Sequence, residues 1–165
     1  MGENTDSFFS NPSKDGFAYK GGEGAQINFR NTKMIVKVSG LDSEYRYTLI
    51  EMTHPPNTGP GLHTHSKASE AYYVLDGEYS IRCGNNTYLA QKGDFVFIPR
   101  NIPHNYQSGP NGGKALVISP AGLEKYFKEV ADILHTQNEI QWDAEVEIAR
   151  RYGQEFLDNL RHWSQ

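Results

Sequence analysis

Cysteine is almost absent: among 165 residues Cys83 stands alone, so no intramolecular disulfide can form and no set of thiolates can close a structural zinc site. Nor is there an excess of basic residues. Sixteen Lys and Arg against twenty Asp and Glu give a formal charge of -4, which offers no cationic face to a polyanion and predicts no nucleic-acid partner. No apolar run approaches the length that crosses a bilayer, so no membrane partner is expected. The N-terminus lacks the basic and apolar segments of a secretion signal, which makes the cytoplasm the expected location. Cys83 itself, in a run alternating with Tyr79 and Ile81, reads as a small buried hydrophobe.

What the chain does have is aromatic residues and turn residues. Ten Tyr and eight Phe in an aromatic share of 12% favour strands, and the length suits one domain with a sizeable core. Short alternating runs at residues 34–38, 45–54, 71–75, 79–83, 87–90, 95–98, 105–108 and 115–119 predict evenly spaced strands, hence an all-β sandwich or barrel. Asp76-Gly77, Gly84-Asn85-Asn86, Gly93-Asp94 and Gly112-Gly113 supply the positive backbone angles of tight turns between them. Residues 1–24 are polar and read as an irregular arm docked by Phe8, Phe9, Phe17 and Tyr19. From Leu123 the period changes: Tyr126, Phe127, Val130, Ile133 and Leu134, then Val146, Ile148, Ala149, Tyr152, Phe156, Leu157 and Leu160, recur at helical spacing. The expected organisation is an arm at 1–24, a β-barrel at 25–120 and a helical extension at 121–165, with the second helix over residues 144–160.

The chemistry lies in four residues. His63 and His65 are two apart, so on an extended strand they point to one face, and Glu70 follows five residues later. His104, after Pro99 and Pro103, joins them if two separate strands meet inside a barrel. Three imidazoles and one carboxylate suit a divalent transition metal, namely Fe, Ni, Mn, Co, Cu or Zn, with the identity left open by ligand type. His54, His135 and His162 have no such company and read as solvated histidines.

The run from Gly59-Pro60-Gly61-Leu62-His63-Thr64-His65 through Glu70 to Gly77 resembles the first motif of the cupin superfamily, and Gly93-Asp94 through Ile98-Pro99 to Pro103-His104 resembles the second. In two places the pattern departs: Asn101 stands where the motif usually has Gly, and Ser108 where it usually has Asn. Asn tolerates the left-handed backbone better than other side chains, so the turn at 101 is expected to survive. Gly21-Gly22-Glu23-Gly24 and the segment Ser119-Pro120 to Phe127 are similar to short single-domain members described as quercetinase-like, that is, quercetin 2,3-dioxygenase-like. The resemblance implies a double-stranded β-helix (jelly-roll) barrel with C-terminal helices and a metal held by His63, His65, Glu70 and His104.

Parity then outlines a pocket. Tyr72 shares the face of Glu70 and Tyr106 that of His104, and Met52, Ile50, Phe97 and Ile118 are further wall candidates. A metal there would polarise a bound enolate or phenolate, with Glu70 as a ligand that also serves as general base. The leading expectation is a metal-dependent dioxygenase acting on a flavonol-like or other enolisable aromatic small molecule. The alternatives are an isomerase, decarboxylase or lyase using the same metal, or a non-catalytic binder of a small acidic ligand. A single barrel leaves edges and faces open, so a homodimer is expected.

Overall fold

The structure, a computed structural model, describes residues 5–9 and 15–158. After a short helix α1 (Thr5–Phe9), nine strands and two further helices follow: β1 (Ala25–Phe29), β2 (Thr32–Val38), β3 (Thr48–His54), β4 (His63–His65), β5 (Glu70–Cys83), β6 (Asn86–Gln91), β7 (Phe95–Ile98), β8 (His104–Ser119), α2 (Leu123–Gln137), α3 (Trp142–Arg151) and β9 (Gln154–Phe156). Every strand pairing is antiparallel.

Two long strands, β5 and β8, curl the sheet on itself. Their outer halves, Ala71–Asp76 and Lys114–Ile118, pair with each other and carry β3 and β7 beside them, so one wall runs β1-β2-β3-β8-β5-β7. Their other halves pair again, Tyr79 with Ser108 through Cys83 with His104, and the second wall runs β6-β5-β8-β4-β9. The jelly-roll class expected from the sequence is what these walls form.

Sequence punctuation misplaces two turns. Asp76-Gly77 and Gly112-Gly113 were expected to end strands; instead each lies within a continuous strand, opposite the other, with Gly77 paired to Gly113. Both Gly77 and Gly112 have positive φ (69° and 77°), and a Cβ on Gly77 would lie 2.5 Å from the Gly112 carbonyl oxygen. The glycines therefore let two paired strands bend together between the walls, where side chains would collide. By contrast, Gly84 does form the tight β5–β6 hairpin, closing the Cys83–Asn86 pair at φ 59°. The sequence pattern also passes over β1, which pairs with β2 along its whole length.

The core fills the space between the walls with Met34, Ile50, Met52, Val74, Ile81, Ile98 and Val117, all buried. The arm contributes Phe9 to this core, while the Phe17 and Tyr19 rings, centroids 5.2 Å apart and tilted by 58°, stay exposed. Cys83 is half-buried and packs against the core's edge, with burial pushing its thiol pKa up. Helix α2 buries Leu123, Tyr126, Phe127 and Val130, the spacing expected of an amphipathic face. Its Tyr126 and Phe127 rings lie 5.9 and 5.2 Å from Phe29 on β1.

The second expected helix is shorter than its periodicity suggests. It stops at Arg151, Gly153 turns the chain at φ 82°, and Gln154–Phe156 become strand β9. Leu160 and His162 lie outside the described residues. A buried ion pair fastens α3: Glu145 Oε2 accepts from Arg30 Nη2 at 2.8 Å, and its Oε1 accepts from the Tyr126 hydroxyl at 3.0 Å. Glu145→Ala is expected to cost about 3–5 kcal/mol of stability, since it strands a buried guanidinium. Urea denaturation reads this, and Arg30→Met combined with Glu145→Leu should recover most of the loss. A single-variant loss below about 1 kcal/mol would mean the pair behaves as an exposed one.

Candidate metal centre

The ligand-bearing strands are short at this end, and their register fixes the site. β4 supplies His63 and His65, both facing inward and buried, with half-buried Thr64 between them on the other side. His63 pairs with His104, the first residue of β8, and Glu70, the first residue of β5, pairs with Ile98 of β7. One ligand atom from each of His63, His65, Glu70 and His104 lies within 4.8 Å of the others. Thus the structure brings together all four residues singled out from the sequence.

Two loops deliver them. A Cβ on Gly59 would fall 1.7 Å from the Tyr106 carbonyl oxygen, so only glycine lets the chain cross β8 on its way to β4. Ser108 Oγ accepts from the Thr58 amide at 2.9 Å and donates to the Pro55 carbonyl at 2.7 Å, pinning the start of that loop. Asn101 holds the left-handed conformation at φ 66°, and its amide donates to the His65 carbonyl at 2.9 Å. Both departures from the usual motif are thereby accommodated.

Hydrogen bonds set the tautomers. His63 Nδ1 faces the Gly61 carbonyl and His104 Nδ1 the Ile102 carbonyl, each at 2.8 Å. A carbonyl only accepts, so each Nδ1 carries hydrogen, and a neutral ring then presents the lone pair of Nε2 to the cluster. For His104 that lone pair meets Glu70 Oε2 at 3.2 Å. Two acceptors at that distance repel unless a proton or a metal cation lies with them. His65 sharpens the point: both its ring nitrogens are buried without a hydrogen-bond partner among the described residues, and Nε2 is 3.6 Å from Glu70 Oε2. Orphaned imidazole nitrogens converging on a carboxylate fit a divalent metal bound through His63, His65, Glu70 and His104.

The electrostatics agree. Burial, followed by the neighbouring His104 and His65 imidazoles, pushes the His63 pKa well below its ordinary value. Burial alone would raise the Glu70 pKa, but its interactions with His65 and His104 outweigh it and hold the group well below the carboxylate range. Glu70 is further fixed by donors at both oxygens, the Ser119 hydroxyl to Oε1 at 2.9 Å and the Tyr72 hydroxyl to Oε2 at 2.6 Å.

The pocket candidates divide by strand face. Tyr72, Tyr106, Met52 and Ile50 face the interior and are buried. Phe97 and Ile118 do not belong there: they are 54% and 43% exposed on the outer face of the sheet. Because Glu70 pairs with Ile98, the inward residue of β7 is Ile98, and Val117 takes the inward place on β8. Ser119 was missed, and its alternation with Val117 and Ala115 was the available signal.

His54 also departs from expectation. It is buried inside the barrel, with Nδ1 2.9 Å from the Tyr79 hydroxyl and Nε2 2.8 Å from the Tyr106 hydroxyl. Burial lowers its pKa to about 3 and raises those of Tyr79 and Tyr106, so all three are neutral near pH 7. The adjacent Pro55-Pro56 suggested a surface turn, but alternation with Met52 and Ile50 already placed His54 on the inner face. His135, by contrast, is exposed as expected.

Strand β9 completes the enclosure by pairing with the histidine-bearing strand β4, His63 with Phe156 and His65 with Gln154. The Phe156 ring lies 6.1 Å from His63 and 5.0 Å from Trp142 at the start of α3.

Residues 50–119 match the family model described as Cupin domain. The chain is 31% identical over 111 residues to a quercetin 2,3-dioxygenase of Aspergillus japonicus, covering 60% of this chain and 32% of that protein. It is 20% identical over 117 residues to a quercetin 2,3-dioxygenase of Bacillus subtilis, covering 70% of this chain and 35% of that protein. It therefore spans about a third of the length of either dioxygenase. Among solved structures, an RmlC-like cupin from Shewanella frigidimarina aligns with a TM-score of 0.54 at 18% identity, over 65% of this chain and 93% of that one. A cupin-like protein from Thermotoga maritima aligns at 0.50 and 18% identity, over 56% and 70% of the two chains. At such identity the likeness is one of fold. No described helix is long and apolar enough to cross a membrane.

Two outcomes test the site. His104→Ala should reduce bound metal, measured by plasma mass spectrometry on freshly purified protein, from near one per chain to a small fraction, with far-UV circular dichroism unchanged; undiminished loading would contradict the ligand set. For His54 the sign is fixed by its depressed pKa: below pH 6.5 the unfolded chain takes up a proton that the folded chain refuses. The stability this residue supports is therefore complete above pH 6.5 and is lost progressively as the pH falls toward about 3. His54→Gln should flatten the slope of stability against pH in that window relative to the parent, and an unchanged slope would contradict a buried neutral ring.

Proposed function

We propose that the chain, whose residues 50–119 match the Cupin domain family model, is a metal-dependent oxidoreductase, a dioxygenase acting on a flavonol-like or other enolisable aromatic small molecule. The observation that carries this reading is the buried convergence of His63, His65, Glu70 and His104. The similarity to two quercetin 2,3-dioxygenases supports the choice of reaction. A bound divalent cation would supply Lewis acidity, lowering the pKa of an enolisable hydroxyl and stabilising its anion.

The residues around it have separable roles. His63 and His104 direct their Nε2 lone pairs inward because backbone carbonyls hold their Nδ1 hydrogens. Glu70 is held by Ser119 and Tyr72, so its oxygens keep their place when the metal is exchanged. Glu70 acts as general base on an incoming hydroxyl through Oε2, and the Tyr72 hydroxyl, which donates to that oxygen at 2.6 Å, must release it as the proton arrives. Tyr72 and Tyr106, whose rings lie 5.3 Å apart, give the interior an aromatic wall for a planar ligand. Met52 adds an apolar surface. Enclosure by these groups keeps water from a reactive anion.

Oxygen consumption tests the proposal. Protein loaded in turn with Ni, Co, Mn and Fe should consume oxygen with quercetin in at least one metal form. Glu70→Gln should retain part of its metal and lose at least 100-fold in rate, the scale of a general base. Bound metal without oxygen uptake across a panel of enolisable phenols would replace this reading by a metal-assisted isomerase, decarboxylase or lyase, or by a binding protein.

A further inference from the structure

The four candidate ligands are between 1% and 4% exposed, so their meeting point is closed to solvent. A metal site needs an entry path, and the segments packed around this one differ in what their movement would disturb. The loop before β8 supplies the Ile102 carbonyl to His104 and the Asn101 amide to the His65 carbonyl. The loop before β4 supplies the Gly61 carbonyl that holds His63. Strand β7 pairs with Glu70, and Ser119 at the end of β8 donates to it. Moving any of these displaces a ligand or a group that orients one.

Strand β9 is different. It carries none of the four ligands, and the hydrogen bonds that orient them come from Gly61, Ile102, Ser119 and Tyr72, all outside it. Among the described residues its strand partner is β4 alone, over three residue pairs, whereas β3 and β8 share seven. Two backbone bonds extend the seam, from the Leu157 amide to the Leu62 carbonyl at 2.8 Å and from the Ser66 amide to the Gly153 carbonyl at 2.9 Å. A short ladder on a sheet edge opens at lower free energy than the core strands do. Gly153, at φ 82°, is the joint, and a Cβ there would lie 2.8 Å from Lys67 Cγ. On the other side of that joint α3 stays fastened through Glu145 and Arg30.

We propose that β9 is the gate of the metal centre: it peels from β4 about Gly153, admits the metal and the small-molecule ligand, and closes over them. Its inward residues suit that role. Phe156 is half-buried opposite His63, with its ring 6.1 Å from that imidazole and 5.0 Å from Trp142. Gln154 is buried opposite His65. Phe156 is therefore the side chain that an entering planar ligand meets first and that seals the seam behind it. The gate lies beyond residues 50–119, so the segment that matches the family model supplies the ligands and the C-terminal extension controls access to them. The inference rests on the ligand set of the metal centre and not on the reaction proposed for it.

A reversible lock tests the gate. Thr64 and Glu155 are paired, and both point away from the cluster, Thr64 because it alternates with His63 and His65. Antiparallel partners have Cα atoms about 4.5–5.5 Å apart, a separation that a disulfide spans. Thr64→Cys with Glu155→Cys therefore closes the seam on oxidation and frees it on reduction with a phosphine. Loaded with cobalt, the oxidised form should release metal to excess EDTA about ten-fold or more slowly than the reduced form. In metal-free protein, carbethoxylation of His63 and His65 by diethylpyrocarbonate, read by peptide mass spectrometry, should slow by a similar factor. Equal rates in the two forms, by either readout, overturn the proposal and place the entry path elsewhere. Protein that takes up no cobalt refutes the ligand set instead, and the carbethoxylation rates still decide the gate. If the crosslink does not form, Phe156→Ala is read the same way: both processes should run about ten-fold or more faster than in the parent, and unchanged rates overturn the proposal.

Discussion

Three buried imidazoles surround one buried carboxylate, and a protein interior tolerates that arrangement only if positive charge sits among them. The two Nδ1 hydrogens of His63 and His104 are committed to carbonyls at 2.8 Å, so neutral rings bring only lone pairs to Glu70. The folded chain has removed the water that would otherwise solvate these groups, and a divalent cation bound through these side chains would take its place. Much of the surrounding structure holds these atoms in place: the carbonyl contacts, Ser119 and Tyr72 on the carboxylate, and β9 along the edge of β4.

The convergence depends on two long strands that bend. β5 begins with one ligand and β8 with another, and both cross from wall to wall at the Gly77–Gly113 pair. A straight strand could not bring its first residue to this cluster while pairing its other half in a different wall. The inner face is consequently polar in two places, at the metal ligands and at His54 with its two tyrosines. Each polar group there has a partner or a reason for lacking one, which is the condition for burying it.

Legibility followed the range of the interactions involved. The ligand set was readable because His63, His65, Glu70 and His104 lie in patterned segments whose chemistry does not depend on packing. Most strands other than β1 and β9 were readable from alternation, but strand length was not, since Gly77 and Gly112 look like turn residues and act as bends. Phe97 and Ile118 stood among the wall candidates; the register of Glu70 with Ile98 puts them outward, and only the pairing partner decides that. β9 was hidden by a helical period continuing through Tyr152 and Phe156, which Gly153 at φ 82° interrupts. His54 looked solvated beside two prolines, because its tyrosine partners lie 25 and 52 residues away in sequence.

The central claim is that one divalent metal occupies the point where these four side chains meet. Anomalous-difference maps from crystals of the protein, recorded above and below the absorption edge of the loaded metal, locate it directly. The account predicts a single strong peak per chain within bonding distance of His63 Nε2, His65, His104 Nε2 and a Glu70 carboxylate oxygen. A loaded crystal whose peaks lie elsewhere, with His65 still unpartnered, would contradict it.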